Sequence, residues 1–318
     1  MARVVLGLAS SHSPQVNIPW THWDLLREKD ETDPRLNFPE LLQRARPDIE
    51  KELTQEKWKA RGEACRAAIA TLGEELCRAE PDAVVVIGDD QHEQFLDDNL
   101  PMLAIFHGKT LPVVKHSGRN TAAWKLAEEE TWAETAHEYP AAWGLAEHLV
   151  RSLAADEFDI ARSNTLREQI GVGHAFAFLY RRILPGGNVP IAPVMVNTYY
   201  PPNQPTPKRC YELGRAIRRA IESWDSDARV AVVASGGLSH TIMDEELDRI
   251  TIEALRRKDT KSLFGLPREK LQGGTSEILC WVALAGAMEP EAMKLVDYLP
   301  GYRSRGGTGC GMGFAYWS

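Results

Sequence analysis

The sequence predicts an α/β fold, a single layered domain in which a central, mostly buried sheet is flanked by helices. Residues 83–87 are five consecutive apolar residues, mostly β-branched, which is typical of a strand buried on both faces. The run stops at Gly88 and is followed by Asp89, Asp90, Gln91 and His92. Open α/β sheets place their sites beyond the carboxyl ends of such strands. We therefore expect the functional site at this rim of the sheet. A polar loop that is only solvated would show the same sequence pattern.

Length and composition allow one large α/β domain or two smaller ones, and we expect a single domain over residues 1–318 with a helical insertion or layer at about 20–80. Hydrophobic residues make up 43% of the 318, enough to fill a core. Asp33-Pro34 and Arg46-Pro47 divide the charged stretch from 20 to 80, because a residue before proline disfavours helix geometry. We interpret this stretch as a packed outer layer without chemistry of its own.

The charge and the cysteine content exclude several classes of function. A formal net charge of −8 argues against a nucleic-acid partner. The five cysteines are scattered without a C-x-x-C pair, which favours neither a disulfide framework nor a zinc knuckle and fits a reducing cytoplasm. The apolar run at the start is too short for a signal peptide or a membrane span. We expect a cytoplasmic protein with no membrane partner.

Three predicted strands end next to a histidine. The first strand, residues 3–9, leads into Ser10, Ser11, His12 and Ser13. The central strand leads to His92, and the strand at 230–234 runs into the sequence SGGLSH, which ends at His240. A single histidine after a strand is more often structural than functional. Three such ends at one rim favour a shared site, and the two glycines before His240 allow a close backbone approach.

Other elements follow from periodicity and from helix or turn signals. We predict a strand at 99–106, a helix at 141–153, a strand at 189–196 and a helix at 210–224. Trp124, Trp132 and Trp143 are interpreted as packing residues. The terminal sequence GTGCGMGF lacks the strand and crossover helix of a dinucleotide-binding loop, so we expect a close-packed strand or loop.

Glu277 lies in the sequence GGTSEILCW, in which Thr275 or Ser276 can cap an apolar helix running to Met288. A carboxylate in the first turn of a helix is stabilised by the helix dipole, so a capping role is one interpretation. The apolar neighbours favour an inward orientation. Two histidines and one carboxylate at one rim match the ligand set of non-heme Fe(II) sites, but a zinc or manganese hydrolase could use the same set. A non-catalytic metal-binding relative is a third alternative.

Five motifs occur in a particular order along the chain: SSHSP, GDDQHE, NTYYPPNQPT, SGGLSH and TSEILCW. In this order they resemble the LigB-type (class III) extradiol ring-cleavage dioxygenases. The resemblance is greatest to the gallate and 3-O-methylgallate dioxygenase branch, related to the catalytic (beta) subunit of protocatechuate 4,5-dioxygenase. It implies Fe(II) as cofactor, held by His12, His92 and Glu277, with His240 as the acid/base histidine and His174 as a second catalytic histidine.

The resemblance also implies the reaction, the cleavage of the ring of a catecholic acid by O2 to an open-chain dicarboxylic acid or a lactone. The expected partners are a small aromatic diol and O2, and we expect a homodimer. Ser13, Asp90 and Tyr200 are the candidates for substrate contact. Many relatives have adjacent Asp and His where this chain has Asp90, Gln91 and His92. This shift leaves open whether Asp89 and Asp90 orient an imidazole or contact the substrate.

Overall fold

The computed structural model of the protein describes residues 1–114, 121–132, 137–184 and 186–318. The strands in these residues are β1 (Arg3–Ser10), β2 (Ala83–Asp89), β3 (Leu103–Phe106), β4 (Thr110–Val113), β5 (His137–Pro140), β6 (Ala161–Ser163), β7 (Ile191–Val196), β8 (Arg229–Ser235), β9 (His240–Ile242), β10 (Met293–Tyr302) and β11 (Thr308–Trp317).

The α-helices in the described residues are α1 (Pro14–Asn17), α2 (Trp23–Thr32), α3 (Phe38–Arg44), α4 (Gln55–Ala79), α5 (Ala122–Thr131), α6 (Trp143–Ala155), α7 (His174–Phe178), α8 (Pro207–Ser223), α9 (Glu245–Arg257), α10 (Thr260–Phe264) and α11 (Ile278–Ala287). Short 3₁₀ turns occur at Trp20–His22, Ile49–Glu52 and Gly273–Glu277, and a π-helical turn at Leu179–Ile183. None of these helices is long and apolar enough to cross a membrane.

One large sheet organises the molecule, with the strand order β10-β11-β1-β8-β2-β7-β3-β6 and with β9 paired to β11. The four neighbouring strands β1, β8, β2 and β7 are mutually parallel. Parallel strands end at the same edge of a sheet, so the residues that follow these four strands meet at one rim. A separate hairpin is formed by β4 and β5.

The side chains of β2 alternate between two hydrophobic cores. Val85 and Ile87 pack into a core shared with α6, α8 and α11, whereas Val84 and Val86 pack into a core shared with α4 and α7. All four side chains are fully buried, and each contributes about 1.5–3 kcal/mol by leaving water. The predicted fold class, a buried sheet flanked by helices, is therefore confirmed.

Helices α8 and α11 are in close contact because glycine lies at both crossing points. A Cβ atom on Gly214 would lie 1.7 Å from the carbonyl oxygen of Ala283, and one on Gly286 would lie 2.0 Å from that of Tyr211. Every residue of α11 is buried. This packing fixes the amino-terminal end of α11, where Glu277 lies.

Residues 20–80 fold mainly into helices, the longest being α4 with 25 residues. Thr54 caps α4 by accepting a hydrogen bond from the backbone N–H of Lys57. The buried face of α4, which includes Trp58 and Leu72, packs into the core on one side of the sheet. This helical region also supplies part of a cavity wall, as described below.

Candidate metal centre

Three donor side chains converge at the rim formed by the parallel strands. His12 follows β1, Asp89 is the last residue of β2, and His174 is the first residue of α7. The Oδ1 atom of Asp89 lies 3.8 Å from His12 Nε2 and 3.7 Å from His174 Nε2. One ligand atom from each residue lies within 4.8 Å of the other two, which is a suitable arrangement for a metal ion.

Glu277 adds a fourth donor from the start of α11. Its side chain is fully buried, so the predicted inward orientation is confirmed. Oε2 lies 3.3 Å from His12 Nε2 and accepts a 2.6 Å hydrogen bond from the backbone N–H of Gly237. Oε1 lies 3.1 Å from Nε2 of His240. The carboxylate therefore lies between the two histidines that follow β1 and β8.

The hydrogen bonds around His12 define which ring nitrogen carries the proton. Ser235 Oγ donates to the carbonyl oxygen of Ala175 at 2.6 Å, so the hydroxyl accepts the N–H of His12 Nδ1 at 2.9 Å. In the neutral imidazole this arrangement leaves a lone pair on Nε2. That lone pair faces the oxygen atoms of Asp89 and Glu277.

His174 is oriented by a carboxylate in the same way. Its Nδ1 lies 2.9 Å from Glu93 Oε2, and its backbone N–H also donates to Glu93. Burial alone would lower the pKa of His174, but the Glu93 and Asp89 carboxylates outweigh burial and raise this pKa to about 10. A carboxylate that holds the far nitrogen of an imidazole is a common support for histidine ligands of metals.

The two buried carboxylates differ in their protonation behaviour. Burial, reinforced by the charge of Glu277, raises the pKa of Asp89. Burial also disfavours the charged form of Glu277, but the His240 and His12 imidazoles outweigh this effect and hold the pKa of Glu277 well below its usual range. Of the two carboxylates, Glu277 is therefore the one that its surroundings hold in the charged form.

The donor atoms lack the hydrogen bonds that buried polar atoms normally make. Among the described residues, neither His12 Nε2 nor Asp89 Oδ1 has a hydrogen-bond partner. A buried polar atom left unsatisfied in this way costs about 1–3 kcal/mol. Two imidazole nitrogens and the Asp89 carboxylate that converge, with Glu277 beside His12, match the donor preferences of a divalent transition metal. The residues present therefore fit the metal ion that the sequence predicts.

A cavity of about 590 Å³ opens directly above this cluster. His12, His174 and Glu277 line its floor, and Asp89 lies behind them. Trp124 and Trp132 pack against the core on this side of the sheet, as predicted, and they also line the cavity. They line it because α5, which carries Trp124 and ends next to Trp132, forms one wall. The third predicted packing residue, Trp143, is 49% exposed.

Positive charges line another part of the cavity. They belong to Lys29, Arg35 and Arg303. Arg303 donates to both oxygens of Asp30 at 2.6 and 3.2 Å, and Lys29 lies 3.0 Å from the same carboxylate. Arg35 donates one hydrogen bond to each carboxylate oxygen of Asp33. Three cations thus face two carboxylates. Because Lys29 and Arg35 line the cavity, the interpretation of residues 20–80 as a layer without chemistry of its own is corrected.

His240 lies beside the donor cluster and is held firmly. Thr275 Oγ1 accepts from the backbone N–H of His240 at 3.1 Å and donates to its carbonyl oxygen at 3.0 Å. The imidazole packs so closely on Gly274 that a Cβ atom there would lie 2.3 Å from Nε2. Nδ1 lies 3.1 Å from the carbonyl oxygen of Leu238, which leaves Nε2 toward Glu277 and the cavity.

The structure does not bring His92 to the donor cluster. The backbone of His92 adopts a left-handed conformation, with φ of 57°, and its ring stacks on Tyr200 with a centroid separation of 3.6 Å. Its Nε2 lies 3.3 Å from Oδ1 of the exposed residue Asp97. The left-handed backbone at His92 directs its side chain away from the donor cluster. The preceding residue, Gln91, lines the cavity instead. The expectation that His92 binds the metal with His12 and Glu277 is therefore corrected by its position.

The three candidate substrate contacts lie in different places. Ser13 and Tyr200 line the cavity, as the prediction requires. Asp90 faces its own loop instead, where its two oxygens accept the backbone N–H groups of Gln94 and Phe95 at 2.8 and 3.0 Å. This position makes Asp90 a brace of the loop after β2, and the expectation of a substrate contact is corrected.

Sequence reasoning left the role of Asp89 open and assigned none to Gln91, Glu93 or the cationic wall. A signal for Asp89 was present, because β2 continues for two residues past Ile87 and ends on this aspartate. Gln91 follows it on the cavity side. Glu93 acts through His174, which is distant in sequence, and Lys29 is brought to the cavity by the fold, so no local pattern points to either residue.

Comparison with known proteins identifies the family that the chain resembles. A protein-family model described as the catalytic LigB subunit of aromatic ring-opening dioxygenase matches residues 47–313. Gallate dioxygenase of Pseudomonas putida is 41% identical over 104 residues, which are 32% of this chain and 29% of that protein. The 2,3-dihydroxyphenylpropionate/2,3-dihydroxicinnamic acid 1,2-dioxygenase of Paraburkholderia xenovorans is 29% identical over 194 residues, 61% of this chain and 52% of that protein.

The two relatives are thus matched over only 29% and 52% of their own lengths. The family match, in contrast, extends over most of this chain and includes Asp89, His174, His240 and Glu277. On this ground, together with the strand-end motifs, the chain belongs to the LigB family of catalytic subunits of aromatic ring-opening dioxygenases.

Proposed function

We propose that the protein is an Fe(II)-dependent extradiol dioxygenase that opens the ring of a vicinal aromatic diol bearing a carboxylate. The observation that carries this proposal is the convergence of unsatisfied imidazole and carboxylate donors on the floor of a 590 Å³ cavity. Membership of the LigB family supports the reaction class. The size of the cavity suits a single-ring substrate, since small-molecule pockets measure about 300–1,000 Å³.

The proposed iron ligands are His12 Nε2, Asp89 Oδ1 and His174 Nε2, with Glu277 Oε2 beside His12. Two carboxylates balance the charge of a divalent cation. The Nδ1 atoms of the two imidazoles are held by hydrogen bonds, that of His12 by Ser235 and that of His174 by Glu93. When bound, Fe(II) would act as a Lewis acid toward the diol oxygens and would allow dioxygen to react at the same centre.

His240 is proposed as the residue that moves protons. Its Nε2 faces the cavity next to Glu277, within reach of a hydroxyl group on a ring bound above the cluster. Burial tends to lower the pKa of this imidazole, and the Glu277 carboxylate raises it above the ordinary value. A histidine at this position can accept a hydroxyl proton and later return it, the role in which imidazole is most effective near neutral pH.

The walls of the cavity favour an anionic aromatic substrate. Lys29, Arg35 and Arg303 line the cavity together with the Glu128 carboxylate, and these cations can bind a substrate carboxylate in addition to their partners Asp30 and Asp33. Tyr199, Tyr200 and Trp132 offer flat apolar surfaces to a ring. Together with the similarity to gallate dioxygenase, these features favour gallate, 3-O-methylgallate or a protocatechuate-like acid.

An oxygen-electrode assay on the Fe(II)-loaded protein tests the proposal. The panel comprises gallate, 3-O-methylgallate, protocatechuate, 2,3-dihydroxyphenylpropionate and unsubstituted catechol. We expect one O2 consumed per ring opened, with kcat/KM higher for a carboxylated diol than for catechol. The Zn²⁺-loaded protein is the control, since zinc has no redox chemistry and should support no oxygen uptake. A preference for the uncharged catechol would contradict the proposed substrate class, and no uptake with any diol would contradict the reaction.

A further inference from the structure

Gln91 lies between the two carboxylates of the donor cluster. Its Nε2 is 2.9 Å from Asp89 Oδ2 and 3.3 Å from Glu277 Oε1, and the residue lines the cavity floor. We propose that Gln91 is a positioning residue: its amide N–H groups tie Asp89 and Glu277 together so that the other oxygen of each carboxylate faces the metal position. This inference rests on the proposed metal site.

The chemistry of the amide determines which of its ends faces the carboxylates. An ionised carboxylate only accepts hydrogen bonds, whereas the amide NH2 group carries two donors and the amide oxygen carries none. The NH2 group therefore faces Asp89 and Glu277 and can give one hydrogen bond to each. Two carboxylates in a buried site repel one another, and a shared donor reduces this repulsion.

The consequence appears in the distances around His12. With Asp89 Oδ2 and Glu277 Oε1 held by Gln91, Asp89 Oδ1 lies 3.8 Å and Glu277 Oε2 lies 3.3 Å from His12 Nε2. A closed ring of contacts around one point is thus formed by Gln91, Asp89, His12 and Glu277. Without the amide, Asp89 could rotate away from that point, and Glu277 would be held only by Gly237 and His240.

The loop after β2 is built to present Gln91 and not the residue that follows. Asp90 fixes the loop through the backbone N–H groups of Gln94 and Phe95. The left-handed backbone at His92 then carries the next side chain to Tyr200. The loop therefore delivers one neutral amide to the cluster.

A substitution of the same size separates a positioning amide from a metal ligand. If the amide oxygen were itself a ligand, Gln91→Glu would provide a stronger carboxylate ligand and tighten metal binding. If the amide positions the two carboxylates, Gln91→Glu replaces a donor by a third negative charge and loosens the site. Gln91→Leu, which removes both hydrogen bonds at similar volume, should loosen it as well.

The experiment titrates the full-length, metal-free protein with Co²⁺ and follows the visible absorption of the bound ion. For both Gln91 variants we expect the affinity for Co²⁺ to fall about 10–100-fold, as is typical when a partner of a metal ligand is lost. The absorption spectrum of bound Co²⁺ should change too, because the carboxylates are reoriented. Gln43→Glu, an exposed position, controls for the added charge.

The outcomes separate this inference from the proposed function. Wild-type protein that binds no Co²⁺ would contradict the metal site itself. Wild-type binding together with equal or tighter binding by Gln91→Glu would overturn only the positioning role. Metal-free variants that are both unfolded would also overturn it, because Gln91 would then be a structural brace of the loop.

Discussion

Two groups of charged residues line or adjoin the same cavity, and they are built in opposite ways. The donor cluster comprises His12, Asp89, His174 and Glu277. The paired cluster comprises Lys29, Asp30, Asp33, Arg35 and Arg303. In the paired cluster, Asp30 accepts two hydrogen bonds from Arg303 and lies 3.0 Å from Lys29. In the donor cluster, His12 Nε2 and Asp89 Oδ1 are without hydrogen bonds among the residues that the structure describes.

The difference indicates what each cluster is for. Buried charges that find a good partner cost little net free energy, whereas a buried charge or lone pair without a partner is costly. The carboxylates of the paired cluster find their cations within the chain, and breaking one of these pairs is expected to destabilise the fold. The donor cluster is proposed to be completed by a bound cation. Substitution of a carboxylate in the paired cluster should thus affect folding, and substitutions in the donor cluster should affect metal binding and turnover.

The largest effect is expected for His12→Ala. His12 lies between Asp89 and Glu277, so its loss removes the central donor, and we expect neither bound metal nor activity. The thermal midpoint of the metal-free protein should stay close to that of the wild type. Addition of Mn²⁺ at about 100 times its Kd should stabilise the wild type by about 2.7 kcal/mol and leave the variant unchanged. Calorimetry with and without Mn²⁺ measures this, and a variant still stabilised by Mn²⁺ would show that His12 is not a ligand.

His240→Asn should separate turnover from metal binding. The side chain lies beside the donor cluster but is assigned to proton transfer, so iron content should remain at the wild-type level. The expected loss in kcat is about a hundred- to ten-thousand-fold, the range for a missing general acid or base. Iron analysis and single-turnover rates on one preparation provide the test. Loss of iron together with activity would place His240 among the ligands.

Asp30→Asn should act on stability instead. The change leaves the buried Arg303 without its carboxylate and is expected to cost about 3–5 kcal/mol of folding free energy. Urea unfolding measures this loss, and iron bound per folded molecule should not change. A stable variant that loses iron would contradict the division of roles.

The pH dependence of the same variant sharpens the test. Burial opposes ionisation of Asp30, but Arg303 outweighs it and lowers the pKa of this carboxyl in the folded protein. Stability from the pair is therefore fully present above the pKa of an unfolded aspartate, about 3.9, and is lost as the pH falls through the lower folded value. The stability gap between wild type and Asp30→Asn should close toward low pH. A constant gap would argue against the ion pair.

The smallest effect is expected for His92→Ala, which removes a ring that contacts Tyr200 and not the cluster. Metal content should be unchanged. Any change in kcat should be small and should arise because Tyr200, which lines the cavity, loses its stacking partner. Comparison with His12→Ala on matched preparations makes this a direct test of which histidine belongs to the site. Iron loss in His92→Ala would restore the ligand assignment that the sequence motifs imply.

The fold was predictable because its signals are local. The strands at 3–9, 83–87 and 230–234 are observed as β1, β2 and β8, each one to two residues longer. The glycine-rich terminal sequence forms the close-packed strand β11, as expected. Apolar runs of β-branched residues specify buried strands directly, and parallel strands then bring their ends to one edge.

The site was only partly predictable, because the direction of a side chain after a strand depends on the backbone of the loop. His12 follows β1 directly and reaches the cluster. At the end of β2 the left-handed residue His92 leaves the cluster to Asp89 and Gln91. Pairs such as Arg303 with Asp30 join residues far apart in the sequence, and no single-sequence pattern reveals them.

The most direct test of the account is a crystal structure of the Fe(II)-loaded protein with anomalous diffraction data collected on both sides of the iron absorption edge. The account predicts one strong iron peak per chain, enclosed by His12 Nε2, Asp89 Oδ1, His174 Nε2 and Glu277 Oε2. A peak between His92 and Asp97, or no peak at the donor cluster of a catalytically active crystal, would contradict it.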